Sequence, residues 1–317
     1  MPSAVSKKSR TSSGSAGLGL RVRLRRLSPS ELPQHPELAA YQTYHRADPK
    51  SFAREVLNEA ESFATDYWSK KFKVKSSKKS SPPSTAPVEL LIHDVHVDDM
   101  PEEVRGGAIS GIAETWFARS SIHENKAKKG TAEWAEFERY LLDDHSEHEK
   151  DYTPAVYDAH KVLDWGSTGL QGIEGWEKVE MSIFEMCHSM PPPLSNRTFS
   201  VIVVKARSTR SPVSFITAQI PVDISQTQVA LYSNGRHEEE GRGEQKKPVT
   251  PGIYVSVERC ELIDDGSKVK WQMTTASDAK GVLPMAIQKL GVPGAVVKDV
   301  GLFTEWVDLK REGMTWT

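Results

Sequence analysis

The densest group of chemistry-bearing side chains is Asp143-Asp144-His145-Ser146-Glu147-His148, where two histidines three apart could share one helix face. A metal site needs further ligands at compatible spacing, and none is signposted, so the run is read as a solvated helix end. His93 and His96 have no better company. Cys187 and His188 are neighbours in an extended stretch; their side chains leave on opposite faces and do not share an ion. There is no G-x-S-x-G and no Walker A loop, and Gly17-Leu18-Gly19 stops short of a dinucleotide fingerprint. No catalytic residue, metal or cofactor is therefore assigned. One acid stands out. Glu185 lies in Val179–His188, where Met181, Ile183, Glu185 and Cys187 alternate with Ser182, Phe184, Met186 and His188. Both sets are rich in apolar groups, so the strand should be covered on both sides. Its carboxylate sits either at a sheet edge or in the interior, where it needs a partner or a proton.

A chain of 317 residues can bury a sizeable core, and a net charge of −2 argues against a general nucleic-acid binder. Two cysteines, Cys187 and Cys260, sit inside apparent strands and read as reduced core residues of a cytoplasmic protein. No apolar run approaches the roughly 18 residues a membrane-spanning helix needs. The sequon Asn196-Arg197-Thr198 is read as chance.

Elements must now position whatever site exists. Residues 1–20 are rich in Ser, Gly and Lys and are expected to be disordered. Leu20, Val22 and Leu24 alternate with Arg21, Arg23 and Arg25, the period of a strand and not of an amphipathic targeting helix. Residues 21–75 form a helical extension, with Asp48-Pro49 capping a helix that carries Phe52, Val56, Phe63, Tyr67 and Trp68. Lys70 to Lys79 and the following Ser/Pro run read as a solvated linker, placed at 76–87 before a main domain over 88–310. Those lysines, with the basic tail, leave open a transient contact with an anionic membrane surface.

Thr115–His123 reads as a strand, Thr131 as the cap of a helix with Trp134, Phe137 and Leu141, and Phe199–Ala206 and Val213–Pro221 as strands. Ser233–Pro251 reads as a long loop. Ile253–Ile263 and Lys268–Thr275 form a hairpin around Asp264-Asp265-Gly266. After a turn at Ser277–Gly281, Ile287 and Leu290 begin a helical spacing. It is interrupted at Gly291-Val292-Pro293-Gly294 and resumes with Val296, Val300, Phe303 and Val307, Pro293 standing near a first turn. Strands bracketed by helices and closed by a greasy C-terminal helix make an α+β fold.

The final strand with Trp271, then Asp278-Ala279-Lys280-Gly281-Val282-Leu283-Pro284, then Ile287 and Leu290, resembles the C-terminal signature of START lipid-transfer domains. Gly291-Val292-Pro293 followed by Lys298-Asp299 is most similar to the phosphatidylcholine-carrying branch. Upstream, Met190-Pro-Pro-Pro-Leu-Ser-Asn-Arg197-Thr198-Phe199 is similar to the family's P-L-S-P-R-D-F. Over residues 90–308 the chain looks most like a fungal START-like family of unknown function. The resemblance implies a helix-grip fold, a curved antiparallel sheet around the C-terminal helix, enclosing a cavity for a lipid.

Pattern alone supplies the walls of such a cavity and leaves open whether they enclose space or a solid core. One face of the Phe199 strand offers Phe199, Val201 and Val203 and ends at Lys205. Neighbouring strands add Phe215, Thr217, Tyr254, Ser256, Trp271 and Met273, and the helix adds Ile287, Val296, Val300 and Phe303. Glu185 stands where sterol-carrying START domains place a buried acid, but their partner arginine falls on Val203, leaving Lys205 as a substitute or a ligand head group as partner. Arg197 matches the motif arginine, with Thr198 in place of the usual Asp. The implied function is non-catalytic binding, transfer or sensing of one lipid-like molecule by a cytoplasmic monomer, possible at the periphery of membranes. A helix-grip enzyme of the cyclase type and an interaction module with a closed pocket remain the alternatives.

Overall fold

The structure is a computed structural model. It describes residues 19–314 apart from 43–46, 106–109, 191, 193, 238–248 and 279–284, with Thr168 and residues 285–290 described through their backbone alone.

An N-terminal strap leads into the first helix, α1 (Pro49–Ser62), which a π turn (Phe63–Tyr67) joins to α2 (Trp68–Lys71). Asp48 caps α1 by accepting from the Ser51 amide at 2.9 Å, with Pro49 in the first turn. Strands β1 (Lys73–Lys79), β2 (Val88–His96) and β3 (Ile112–Glu124) follow. Two short helices come next, α3 (Trp134–Leu141) and α4 (His145–Tyr152), then β4 (Val156–Asp164), β5 (Trp176–His188), β6 (Arg197–Ser208) and β7 (Ser214–Pro221). The chain continues with β8 (Thr250–Pro251), β9 (Ile253–Ile263) and β10 (Lys268–Asp278), and closes with α5 (Met285–Arg311).

These strands form one sheet in the order β1-β2-β3-β10-β9-β7-β6-β5-β4, antiparallel throughout, with the short β8 paired in parallel to the start of β6. The β9–β10 turn uses Asp264, Asp265 and Gly266, all at positive φ, as the Asp-Asp-Gly spacing predicts.

Strand alternation divides the sheet into two buried faces. Ile202, Val204 and Ala206 of β6, Ile216, Ala218 and Ile220 of β7, and Val255 and Val257 of β9 pack with Phe52, Val56, Leu57 and Ala60 of α1. The opposite face meets α3, α4 and α5. There Val296, Val300, Phe303, Trp306 and Val307 of α5 pack with Phe137, Leu141, Tyr152, Phe215, Val269 and Trp271. The N-terminal extension is thus continuous with the core of the sheet, and β5 is covered on both sides.

Four local expectations change. The Leu20–Arg25 alternation is not a strand. The Glu59 carboxylate accepts from the amides of Arg21 and Val22, and Glu114 accepts from Leu24, so side chains replace a neighbouring strand. The lysine-rich stretch is not a linker, because Lys73–Lys79 pairs with β2 as an exposed edge strand. Lysines on an edge discourage pairing with another chain. Glu133, not Thr131, caps α3, through a reciprocal capping box with Glu136. Finally, α5 is one helix with Pro293 in its interior, not a helix restarted at Pro293.

A different irregularity lies deeper in α5. Ser81 Oγ accepts from the Gly301 amide at 2.8 Å and donates to the Val297 carbonyl at 2.7 Å, inserting a hydroxyl into the helix ladder. Gly301 is required there, since a Cβ would lie 2.4 Å from the Pro82 carbonyl oxygen. Among the described residues no helix is long and apolar enough to cross a membrane.

Candidate ligand cavity

Residues directly opposite in neighbouring strands share a face. On the α5 side, register aligns Arg119 of β3, Met273 of β10, Glu258 of β9, Thr217 of β7 and Lys205 of β6 in one transverse row. The next row holds Thr275, Ser256 and Gln219, and the next Ser277 and Tyr254. Helix α4 lays His145, Glu149 and Tyr152 over this surface, a stripe at i, i+4 and i+7. Helix α5 adds Val292, Val296 and Asp299 at the same spacing. Between them lies a cavity of about 400 Å³, whose far wall is Met186, His188, Arg197 and Phe199. That volume is within the range of small-molecule sites.

Polar groups gather on the wall formed by β3, β9, α4 and α5. Arg119 pairs with Glu258 at 3.3 Å and lies over the Trp271 ring, 3.9 Å from its centre. The Trp271 indole N–H donates to the same Glu258 oxygen at 2.7 Å. Arg119 is 1% exposed, yet its Nε and Nη1 have no hydrogen-bond partner. His145 makes a 2.9 Å hydrogen bond between Nδ1 and the Leu141 carbonyl; with the proton on Nδ1, Nε2 is left to accept from Gln219 at 3.2 Å. Burial lowers the His145 pKa to about 4, so the ring is neutral at pH 7. Gln219 also reaches Glu149 at 3.4 Å and Tyr254 Oη at 3.3 Å, and Tyr254 donates to Ser256 at 2.8 Å. Its own Oε1 is buried without a partner.

Burial, reinforced by Glu258 and Asp299, raises the Glu149 pKa to about 8. Burial likewise raises Asp299 to about 6, against the pull of Arg119, and raises Glu258 above its ordinary value. Arg119 thus pairs with Glu258 and pulls on Asp299, while Glu149 has only carboxyl neighbours and Gln219 acting on it. Arg197 is held at the start of β6 by the carbonyls of Ser195 and Asn196. Among the described residues no group of three His, Cys, Asp or Glu side chains could hold a metal ion.

Of the residues read from sequence as cavity walls, Phe199, Tyr254, Ser256, Met273 and Val296 line it. Phe215, Trp271, Val300 and Phe303 instead belong to the solid core beneath α5. Val201 and Val203 pack with Phe184 and Met186. Thr217 donates to the Leu141 carbonyl at 3.4 Å, and Lys205 pairs with Glu180 at 3.0 Å. Ile287 has its side chain outside the described residues.

Glu185 does not meet Lys205. It stands opposite Ser200 and faces away from the cavity, because α5-side residues of β5 are the even-numbered Met186 and His188. Its carboxylate accepts from the amides of Tyr232 and Ser233, at 2.6 and 3.2 Å, and from Ser200 Oγ at 3.3 Å. It is a loop anchor. His145 is also corrected: far from a solvated helix end, it is 4% exposed. The stripe His145, Glu149, Tyr152 was the missed signal, together with the parity that puts Glu258 beside Tyr254 and Ser256.

Residues 116–307 match the model of a family described as "Protein of unknown function (DUF3074)". Among solved structures the chain is similar to human STARD10, at 10% identity and a TM-score of 0.50, over 81% of this chain and 81% of that one. It is similar to human StAR-related lipid transfer protein 5 at the same identity and TM-score, over 83% of this chain and 99% of that one. At that identity the likeness establishes the fold alone, the α+β START-like helix-grip fold. No curated protein matches the sequence.

Proposed function

For a chain that belongs to the DUF3074 family, we propose that the activity is reversible binding of one lipid-like molecule between the sheet and α5, without covalent chemistry. The observation that carries this reading is the cavity of about 400 Å³, with Met186, Phe199, Met273, Val292 and Val296 in its walls and its carboxyl groups gathered together. Apolar burial, at about 25 cal/mol per Å², supplies the affinity, and the polar groups orient the guest. One structural neighbour, human StAR-related lipid transfer protein 5, is by name a lipid transfer protein, which supports the same class of ligand.

Catalysis is the weaker reading. Arg119 is engaged by Glu258 and Trp271, while His145 is held between Leu141 and Gln219, so neither stands ready to transfer a proton. Transient contact with anionic membranes would use the exposed lysines of β1, each contributing about 1 kcal/mol near such a surface. Native mass spectrometry of the full chain, purified gently and then extracted for lipid, tests the proposal. A discrete adduct of one lipid-sized molecule per chain is the expected result. An adduct-free protein that also takes up no lipid from mixed vesicles would overturn it.

A further inference from the structure

We propose that the cavity selects an amphiphile with a cationic amine head over neutral or anionic lipids of the same tail. The inference rests on the lipid-binding reading and adds the charge of the guest. Glu149, Glu258 and Asp299 all line one cavity. Of these three, only Glu258 forms an ion pair with an arginine or lysine among the described residues; Arg119, already stacked on Trp271, and Lys298 act on Asp299 only from further away. Glu149 and Asp299 are therefore left, among the described residues, without a lysine or arginine ion-pair partner of their own.

A second observation points the same way. Gln219 is 2% exposed, lines the same cavity, and has an Oε1 with no donor. A buried acceptor left open is costly, so a guest bearing N–H groups gains by filling it. The raised pKa values of Glu149 and Asp299 agree: burial outweighs the pull of Arg119 and Lys298 on Asp299, and Glu149 has no cation acting on it. An ammonium group would supply both the missing charge and the missing donors. A hydroxyl beside that amine would give the free N–H groups of Arg119 an acceptor, which makes a long-chain amino alcohol a good match.

An anionic head fares worst, since it would enter a wall where carboxyls already repel one another. The tyrosines Tyr152 and Tyr254 on the same wall present aromatic surface that an ammonium tolerates well.

Three probes with one tail and different heads decide the matter: oleylamine, oleyl alcohol and oleate, each titrated against the full chain at about pH 7.5. Oleylamine is expected to bind at least about tenfold more tightly than either of the others. In the double variant Glu149→Gln/Asp299→Asn, the amine should lose about tenfold in affinity and its preference over the alcohol should shrink to within about threefold. Both replacements are near-isosteric and remove destabilising buried charge, so the fold is retained; circular dichroism verifies this. Equal or tighter binding of the alcohol or of oleate overturns the proposal, as does a variant that leaves the amine unaffected. If phosphatidylcholine from vesicles binds and oleylamine does not, lipid binding stands and the amine preference falls. If no lipid of any kind binds, both fall.

Discussion

Glu149 gives the most direct test of how dry the cavity is. Its pKa rises from 4.5 to about 8 through burial and the neighbouring Glu258 and Asp299. The native protein keeps a proton that the unfolded chain releases near pH 4.5, so this group lowers stability as pH rises between the two values. Between pH 6 and pH 8 the loss is about 2 kcal/mol, from 1.36 kcal/mol per pKa unit with the curve flattening near pH 8. Glu149→Gln removes the titration and keeps the shape. Asp299, raised from 3.8 to about 6, completes most of its own destabilisation by pH 6. His145 and His188, each lowered to about 4, act oppositely, adding stability up to about pH 6.5. Those contributions are common to both proteins and cancel in the comparison. Urea unfolding at pH 6, 7 and 8, followed by tryptophan fluorescence, should show the variant's advantage widening by about 2 kcal/mol across the range. A gap that stays constant would mean that Glu149 ionises as an ordinary carboxyl, and the reasoning about an unsolvated acid wall would collapse.

Phe303→Ala should cost about 3–5 kcal/mol in urea unfolding, since Phe303 is fully buried against Phe137, Tyr152 and Trp271. Gly301→Val should lower the thermal midpoint by overpacking worth about 1–3 kcal/mol, because the added carbons meet the Ser81 and Pro82 carbonyls. Glu185→Ala should leave the cavity intact but release the Tyr232–Ser233 loop, read as faster limited proteolysis there and a stability loss of about 1–3 kcal/mol. Unchanged cleavage would show that the loop is held by other contacts.

The layout of the sheet was legible because alternation survives wherever strands are long: β5, β6, β7, β9 and β10 all lie where period-two patterns and the Asp-Asp-Gly turn place them. The closing helix was legible from its three-and-four spacing in the same way. What escaped was charge. Arg119 and Glu258 look like solvent-facing polar positions until register sets them in one row, and register is a long-range property that no local spacing reports. His145 and Glu149 were hidden by the acidic company of Asp143, Asp144 and Glu147, which makes a two-sided helix look wholly wet. Glu185 misled in the other direction: a buried acid suggests a ligand, but two loop amides and a serine hydroxyl satisfy it. The lysines of β1 read as linker because composition reports exposure, and an edge strand is as exposed as a linker.

The hydroxyl of Ser81 makes α5 a jointed lever. Forward of the splice at Val297–Gly301 are Val292, Ala295 and Val296, which line the cavity together with Asp299 inside the splice; behind it are Phe303, Trp306 and Val307, bolted into aromatic packing. Because Ser81 already holds the Val297 carbonyl and the Gly301 amide, a bend at that joint would leave both groups bonded. On the proposed binding reading, a guest would enter by bending the helix ahead of most of the packing that keeps the molecule folded, and one small side chain on a connecting segment sets where the division falls.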